Sequence, residues 1–253
     1  MILNHRILGQ GPPLIILHGL FGSLDNWMTV ARQLATEYTL YLVDLRNHGQ
    51  SFHDDQFDYE SMSRDIERLV NHLNLENYSI LGHSMGGKVA MFHAADNPVK
   101  VNKLIVVDIG PKYYPVHHRT ILDGLISLHP ETTSSRSDAD QNLKQYVEEE
   151  PVRQFLLKNL KRSQGGYFKW KINLAVIDKQ IENIGQALPE SYIIRNETLF
   201  IKGGNSNYIS ESDIEQIRLQ FPNSEITTIP SAGHWVHAQA PAELISTVLR
   251  FLK

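Results

Sequence analysis

Short apolar runs that each stop at a turn restrict this chain more than any other feature. Leu14–Leu17 stops at His18-Gly19, Leu40–Val43 at Asp44, and Ser79–Leu81 at Gly82. Leu104–Val107 stops at Asp108, Leu199–Ile201 at Gly203-Gly204, and Ile226–Ile229 at Pro230. Brief, nearly continuous apolar stretches of this kind read as strands buried on both faces, the habit of parallel sheets. Segments with helical spacing lie between them: Trp27, Val30, Ala31, Leu34 and Ala35; Met62, Ile66, Leu69, Val70 and Leu73. A last helix opens on Pro241, suited to a first turn, and carries Leu244, Ile245, Val248, Leu249 and Phe251. Strands alternating with helices imply right-handed crossovers and an α/β fold with a doubly wound, mostly parallel sheet.

The pattern breaks between about Pro111 and Asn196. Helical stretches are expected at Arg119–Leu128, Leu143–Leu160 and Trp170–Ile184, with a polar loop at Thr132–Ser137 and no convincing buried strand. The simplest division is a core of residues 1–110 and 197–253 with a helical cap inserted at 111–196. The chain's 253 residues suit one such domain. A net charge of −4, with scattered Lys and Arg, argues against a nucleic-acid footprint. The absence of cysteine excludes disulfides, thiolate metal sites and cysteine nucleophiles. No apolar run is long enough to span a bilayer and no secretory signal is visible, so a soluble, cytoplasmic protein is the default expectation.

Gly82-His83-Ser84-Met85-Gly86 matches G-x-S-x-G and lies between an apolar strand and the apolar helix that begins near Val89. A serine on so sharp a turn has an exposed hydroxyl and a strained backbone that tolerates little bulk beside it, hence the glycines. The same turn aims the Met85 amide and a helix N-terminus at the space where negative charge would develop. Ser84 is therefore the expected nucleophile.

A serine hydroxyl needs a positioned base, and in this arrangement the base follows the last strand. Of the 12 histidines, His234 in Ser231-Ala232-Gly233-His234-Trp235 occupies that place. His237 is its rival. His83 sits on the wrong side of the turn, His93 packs within a helix, and His117, His118 and His129 fall in the insertion. The loop after Leu199–Ile201, where many such enzymes keep their acid, has no carboxylate, and Asp213 comes later, in or capping a helix. Asp108, ending the previous strand, is the expected acid that orients the imidazole. A backbone amide from His18-Gly19-Leu20-Phe21-Gly22, that of Leu20 with Phe21 next, would join Met85 in an oxyanion hole. Asp44–Ser51 reads as structural support for these loops. Phe21 and Trp235 are expected to contact substrate, and no metal or organic cofactor is required.

Several of these segments together resemble the small bacterial esterases of the YbfF type and their eukaryotic relatives. They are His18–Ser23 with Asn26-Trp27, Asp44–Gly49, Gly82–Lys88, Val107–Pro111, Gly203–Ser206 and Gly233–His237. The resemblance runs from about residue 3 to the C-terminus and is weakest in the insertion. It implies the α/β-hydrolase fold, a helical cap, hydrolysis of a small-molecule carboxylic ester or acyl thioester, and Asp108 as the triad acid. On the same machinery a carbon–carbon hydrolase, a lyase, or a ligand-binding relative with little turnover would also be built. An anionic substrate would require cations facing Ser84, and the sequence does not say whether Arg119, Arg153 or Lys169 lies there.

Overall fold

The computed structural model describes residues 1–116 and 118–253. Seven of its strands form one sheet: β1 (His5–Leu8), β2 (Pro13–Leu17), β3 (Thr39–Val43), β4 (Tyr78–His83) and β5 (Val101–Val107), then, past the short β6 (Leu160–Arg162) and β7 (Phe168–Trp170), β8 (Glu197–Gly203) and β9 (Ser224–Ile229). Their spatial order is β1-β3-β2-β4-β5-β8-β9, and only β1 runs antiparallel to its neighbour. The apolar runs thus form the parallel sheet they imply. Both faces are covered because alternate residues belong to different cores: Ile15 and Leu17 of β2 face one, Leu14 and Ile16 the other.

Helix α1 (Met28–Leu34) seals the second of these faces through Val30, Ala31 and Leu34. Helices α2 (Tyr59–His72) and α3 (Met85–Asp96) cover the first with Met62, Ile66, Leu69 and Val89. The Asp58 carboxylate starts α2 by accepting the Ser61 amide at 2.7 Å, which satisfies one orphan donor of the first turn. The segment between β5 and β8 supplies α4 (Arg119–Ser127), α5 (Arg136–Leu143), α6 (Glu150–Leu157) and α7 (Leu174–Lys179). Helix α8 (Ile214–Gln220) returns to the α2 face, and the single turn α9 (Val236–Gln239) leads into α10 (Pro241–Leu252), which packs beside α1. Among the described residues no helix is long and apolar enough to cross a membrane.

The structure corrects the sequence reading in three places. β9, expected among the strands buried on both faces, is an edge strand with a partly exposed face, and the opposite edge is β1, a half-exposed strand outside the expected runs. The helix expected over Leu143–Leu160 is confined to α6: α5 begins at Arg136, inside the loop expected at Thr132–Ser137, and ends at Leu143, Glu149 is extended (ψ 113°), and α6 starts with Pro151 in its first turn, where a missing N–H costs nothing. The helix expected from Trp170 gives way to an antiparallel hairpin of β6 and β7, paired Leu160 to Trp170, whose turn uses Gly166 at φ 84°. Only Leu174–Lys179 and a 3₁₀ segment at Ile181–Gly185 are helical there.

A buried ion pair fixes the loop after β3 to α2. The Arg46 guanidinium grips Asp65 with two bonds, Nε to Oδ2 at 2.6 Å and an NH2 group to Oδ1 at 2.9 Å, and also donates to the Gln56 and Ser61 carbonyls. Both side chains are nearly inaccessible, so removing one partner strands a buried charge. We expect Asp65→Ala to lower the free energy of unfolding, measured in urea, by about 3–5 kcal/mol.

Candidate active site

Every residue of the candidate site sits just beyond the carboxyl end of a parallel strand. Ser84 closes β4 and caps α3 at φ 51° and ψ −121°, a strained conformation for a residue with a side chain. Its amide donates to the Val107 carbonyl at 2.9 Å. The neighbouring glycines are enforced by contact: a Cβ on Gly82 would lie 2.1 Å from the Gly86 carbonyl oxygen, and one on Gly86 2.5 Å from that of His18. The elbow has no room for side chains on either flank.

Asp108 ends β5 at φ 52° and is fully buried. Its Oδ1 accepts the Gly203 amide at 2.9 Å, and its Oδ2 accepts the Ser206 hydroxyl and His234 Nδ1, the latter at 2.8 Å. With Nδ1 donating to the carboxylate, His234 turns Nε2 toward Ser84 Oγ at 3.1 Å. Tyr208 lies flat against the imidazole, with centroids 3.9 Å apart and planes 12° off parallel. The structure therefore brings Ser84, His234 and Asp108 into one hydrogen-bonded chain, as the chemistry of an activated serine requires. The alternatives are occupied elsewhere. His237 stacks on Trp27, and Asp213 binds Lys112 Nζ at 2.6 Å.

The loop after β2 completes the site. Phe21, at φ 59°, spends its amide on His48 Nε2 at 3.2 Å and its carbonyl on Asn159 Nδ2 at 2.8 Å. Among the described residues, neither the Leu20 amide nor the Met85 amide has a hydrogen-bond acceptor within the protein. Leu20 is thus the available donor in this loop and Phe21 is not.

Two cavities meet at Leu20, Ser84 and His118. The outer, about 50 Å³, is walled by Phe21, Trp27, Val152, Phe155, His234 and Trp235. The other, about 30 Å³ and termed inner for the core helices α2 and α3 that begin in its wall at Tyr59 and Met85, is also lined by Ile109, Tyr114, Val116 and Ile184. Neither lining includes Lys, Arg, Asp or Glu. Arg119 pairs with Asp123 and Asp178, Arg153 with Asp140, and Lys169 lies on β7 over Tyr167, so none of these cations faces Ser84.

A family model of the alpha/beta hydrolase fold matches residues 12–241. The chain belongs to the α/β-hydrolase family. Over 243 residues it is 34% identical to esterase YbfF of Escherichia coli, covering 95% of this chain and 92% of the relative. Over 255 residues it is 38% identical to the Danio rerio protein named sn-1-specific diacylglycerol lipase ABHD11, covering 97% of this chain and 80% of the relative. A solved structure titled marine microorganism esterase superimposes with a TM-score of 0.97 at 43% identity, covering 99% of both chains.

In this α/β hydrolase, buried neutral histidines build the loops. His48 donates through Nδ1 to the Arg46 carbonyl at 2.9 Å, which leaves Nε2 to accept from Phe21. His18 likewise donates to Gly19 O and accepts the Leu45 amide at 3.0 Å. His83 donates to the His234 carbonyl at 2.8 Å and holds the base from behind. Asp44 accepts the Leu24 and Gln50 amides, the supporting role its segment implies. His117 lies outside the described residues.

Sequence reasoning missed Ser206 and Tyr208, and it named Tyr114 only as one of several aromatics able to line a pocket or the core. The Tyr114 hydroxyl accepts the Gly110 amide and donates to the Tyr208 carbonyl at 2.6 Å. The signal for Ser206 was present: a loop without a carboxylate, beside a buried one, has to offer that carboxylate donors.

Burial pushes His18, His93 and His237 down to about 4, His48 to about 3, and His83 well below the ordinary imidazole value. The unfolded chain binds these protons more readily than the folded one, so stability is complete above about pH 6.5 and is lost as the pH falls toward 4. We expect unfolding near pH 5 to take up roughly four to five protons from these residues, and urea midpoints to fall steadily from pH 7 to pH 5. A flat profile over that range would contradict neutral burial.

Proposed function

We propose that this α/β hydrolase cleaves uncharged carboxylic esters, and thioesters by the same route, through an acyl-enzyme on Ser84. The hydrogen-bonded chain from Asp108 through His234 to Ser84 carries this reading. His234 Nε2 takes the hydroxyl proton as Ser84 Oγ adds to the acyl carbonyl, and Asp108 holds the tautomer and stabilises the imidazolium. The Leu20 and Met85 amides receive the oxyanion at the positive end of α3. His234 then protonates the leaving alkoxide or thiolate, and water reverses the sequence to free the acid.

The position of the base supports a division of labour between the two cavities. A leaving group has to sit within reach of His234, which lines the outer cavity and not the inner one. Phe21 and Trp235 therefore contact the alcohol or thiol side, and the inner cavity takes the acyl chain. Linings free of formal charge support a neutral substrate, since an isolated carboxylate or phosphate would be desolvated there without compensation. At about 30 Å³, the smaller of the two, the inner arm favours short acyl chains.

The test is steady-state hydrolysis of p-nitrophenyl esters of increasing chain length. Acetate and butyrate should exceed decanoate in kcat/KM. Ser84→Ala should lower kcat at least about 10⁴-fold, and Asp108→Asn by about 10³–10⁴-fold, with both proteins folded. Full activity in a folded Ser84→Ala variant would refute the assignment.

A further inference from the structure

Four residues beyond Ser84 in α3, Lys88 is fully buried, and its partners are carbonyls and aromatic faces rather than a carboxylate. Its Nζ donates to the carbonyls of Pro111 at 3.2 Å, Lys112 at 2.7 Å and Gln186 at 2.6 Å. The Tyr59 and Tyr114 rings lie 5.9 and 5.4 Å from the same atom. Three carbonyls match the three donors of an ammonium, which suits the charged form. Desolvation opposes that form and pulls the amine down to about 7. A buried cation with no counter-ion is a costly choice where an apolar side chain of similar length would fill the space.

The acceptors are distributed in a telling way. Pro111 and Lys112 begin the chain's excursion into the insertion, and Gln186 follows the 3₁₀ segment from which the chain heads back toward β8. The two stalks also pair directly, Tyr114 N to Gly185 O and Leu188 N to Pro111 O, each at 2.8 Å. Tyr59, whose ring faces Lys88, donates its hydroxyl to the Ile184 carbonyl at 2.6 Å. The side chains and backbone next to these anchor points (Tyr114, Val116, Ile184 and Gly185) are the far wall of the inner cavity.

We infer that Lys88 is a positioning residue for the acyl arm: by binding both stalks of the insertion it fixes their separation, and with it the length of acyl chain the inner cavity accepts. This rests on the assignment of that cavity to the acyl group made above. Lys88 touches neither substrate nor the reacting atoms. It acts from behind the wall, on the same rigid helix whose N-terminus holds Ser84, so nucleophile and wall share one reference frame.

The experiment compares kcat/KM for p-nitrophenyl hexanoate and acetate in the wild type, Lys88→Met and Gly185→Ala. Lys88→Met keeps the stem and removes the donors. Gly185→Ala leaves Lys88 intact but places a Cβ 2.2 Å from the Tyr114 carbonyl oxygen, forcing the stalks apart. Both should raise the hexanoate-to-acetate ratio at least about tenfold, the discrimination a tight pocket exerts against an extra methylene or two. A merely structural lysine would lower both activities by one common factor and leave the ratio where it was. An unchanged or reduced ratio in folded Lys88→Met overturns the inference. Should that variant fail to fold, an unchanged or reduced ratio in Gly185→Ala overturns it instead. Hydrolysis that survives Ser84→Ala would bring down the parent reading and this one together, whereas Ser84-dependent hydrolysis with a fixed ratio sinks this one alone.

Discussion

The Asp108 carboxylate is the point on which the site hangs. It is buried without a formal counter-charge on a strand end, and it is tolerable there because three donors converge on it. One comes from the last residue of β8, the Gly203 amide, one from the loop after it, the Ser206 hydroxyl, and one from the loop after β9, His234 Nδ1. One carboxylate therefore ties together the ends of three adjacent strands. Moving the acid to β5 has a structural corollary. The loop after β8, freed from supplying a carboxylate, supplies a donor that helps make one bearable next door.

Around this anchor, the fold trades local strain for precision. Phe21, Ser84 and Asp108 all occupy positive φ, a costly region for residues with side chains; the first two line one cavity, and the third binds the imidazole that lines it. The elbow survives because glycine at 82 and 86 lets strand and helix close to contact distance. Neutral histidines do comparable work in the oxyanion loop. A neutral imidazole both donates and accepts, so His18 and His48 each link two backbone segments that a lysine or an aspartate could not join. Their removal from the titration range near neutrality is what makes them dependable acceptors.

The parallel sheet was legible because buried strands in such a sheet must be apolar on both faces, and the runs at Leu14, Leu40, Ser79, Leu104 and Leu199 have that character. The positions of Ser84, Asp108 and His234 were legible because turns at strand ends carry unusual residues for steric or chemical reasons. What escaped was of two kinds. Short elements with little burial leave weak periodicity: His5–Leu8 has four residues, none buried and polar and apolar in equal number, and the β6–β7 hairpin has three residues per strand, half of them Lys or Arg. Contacts across long sequence separations leave none at all. Nothing near Tyr208 announces a ring lying on His234, and a lysine following two glycines in a helix reads as solvent-facing when in fact it is sealed beneath the insertion.

The clamp on Phe21 bears on how such a fold can be remodelled. Its amide is held from the core by His48 and its carbonyl from the insertion by Asn159, at the junction between α6 and β6. The loop after β2 is thus shared property: half its restraint belongs to the segment between β5 and β8, which looks exchangeable by its place in the chain. Grafting another relative's insertion onto this core would bring new pocket walls and also discard one jaw of the clamp, unless the graft carries an amide side chain to the same carbonyl. Modularity in the chain's layout does not extend to the hydrogen bonds.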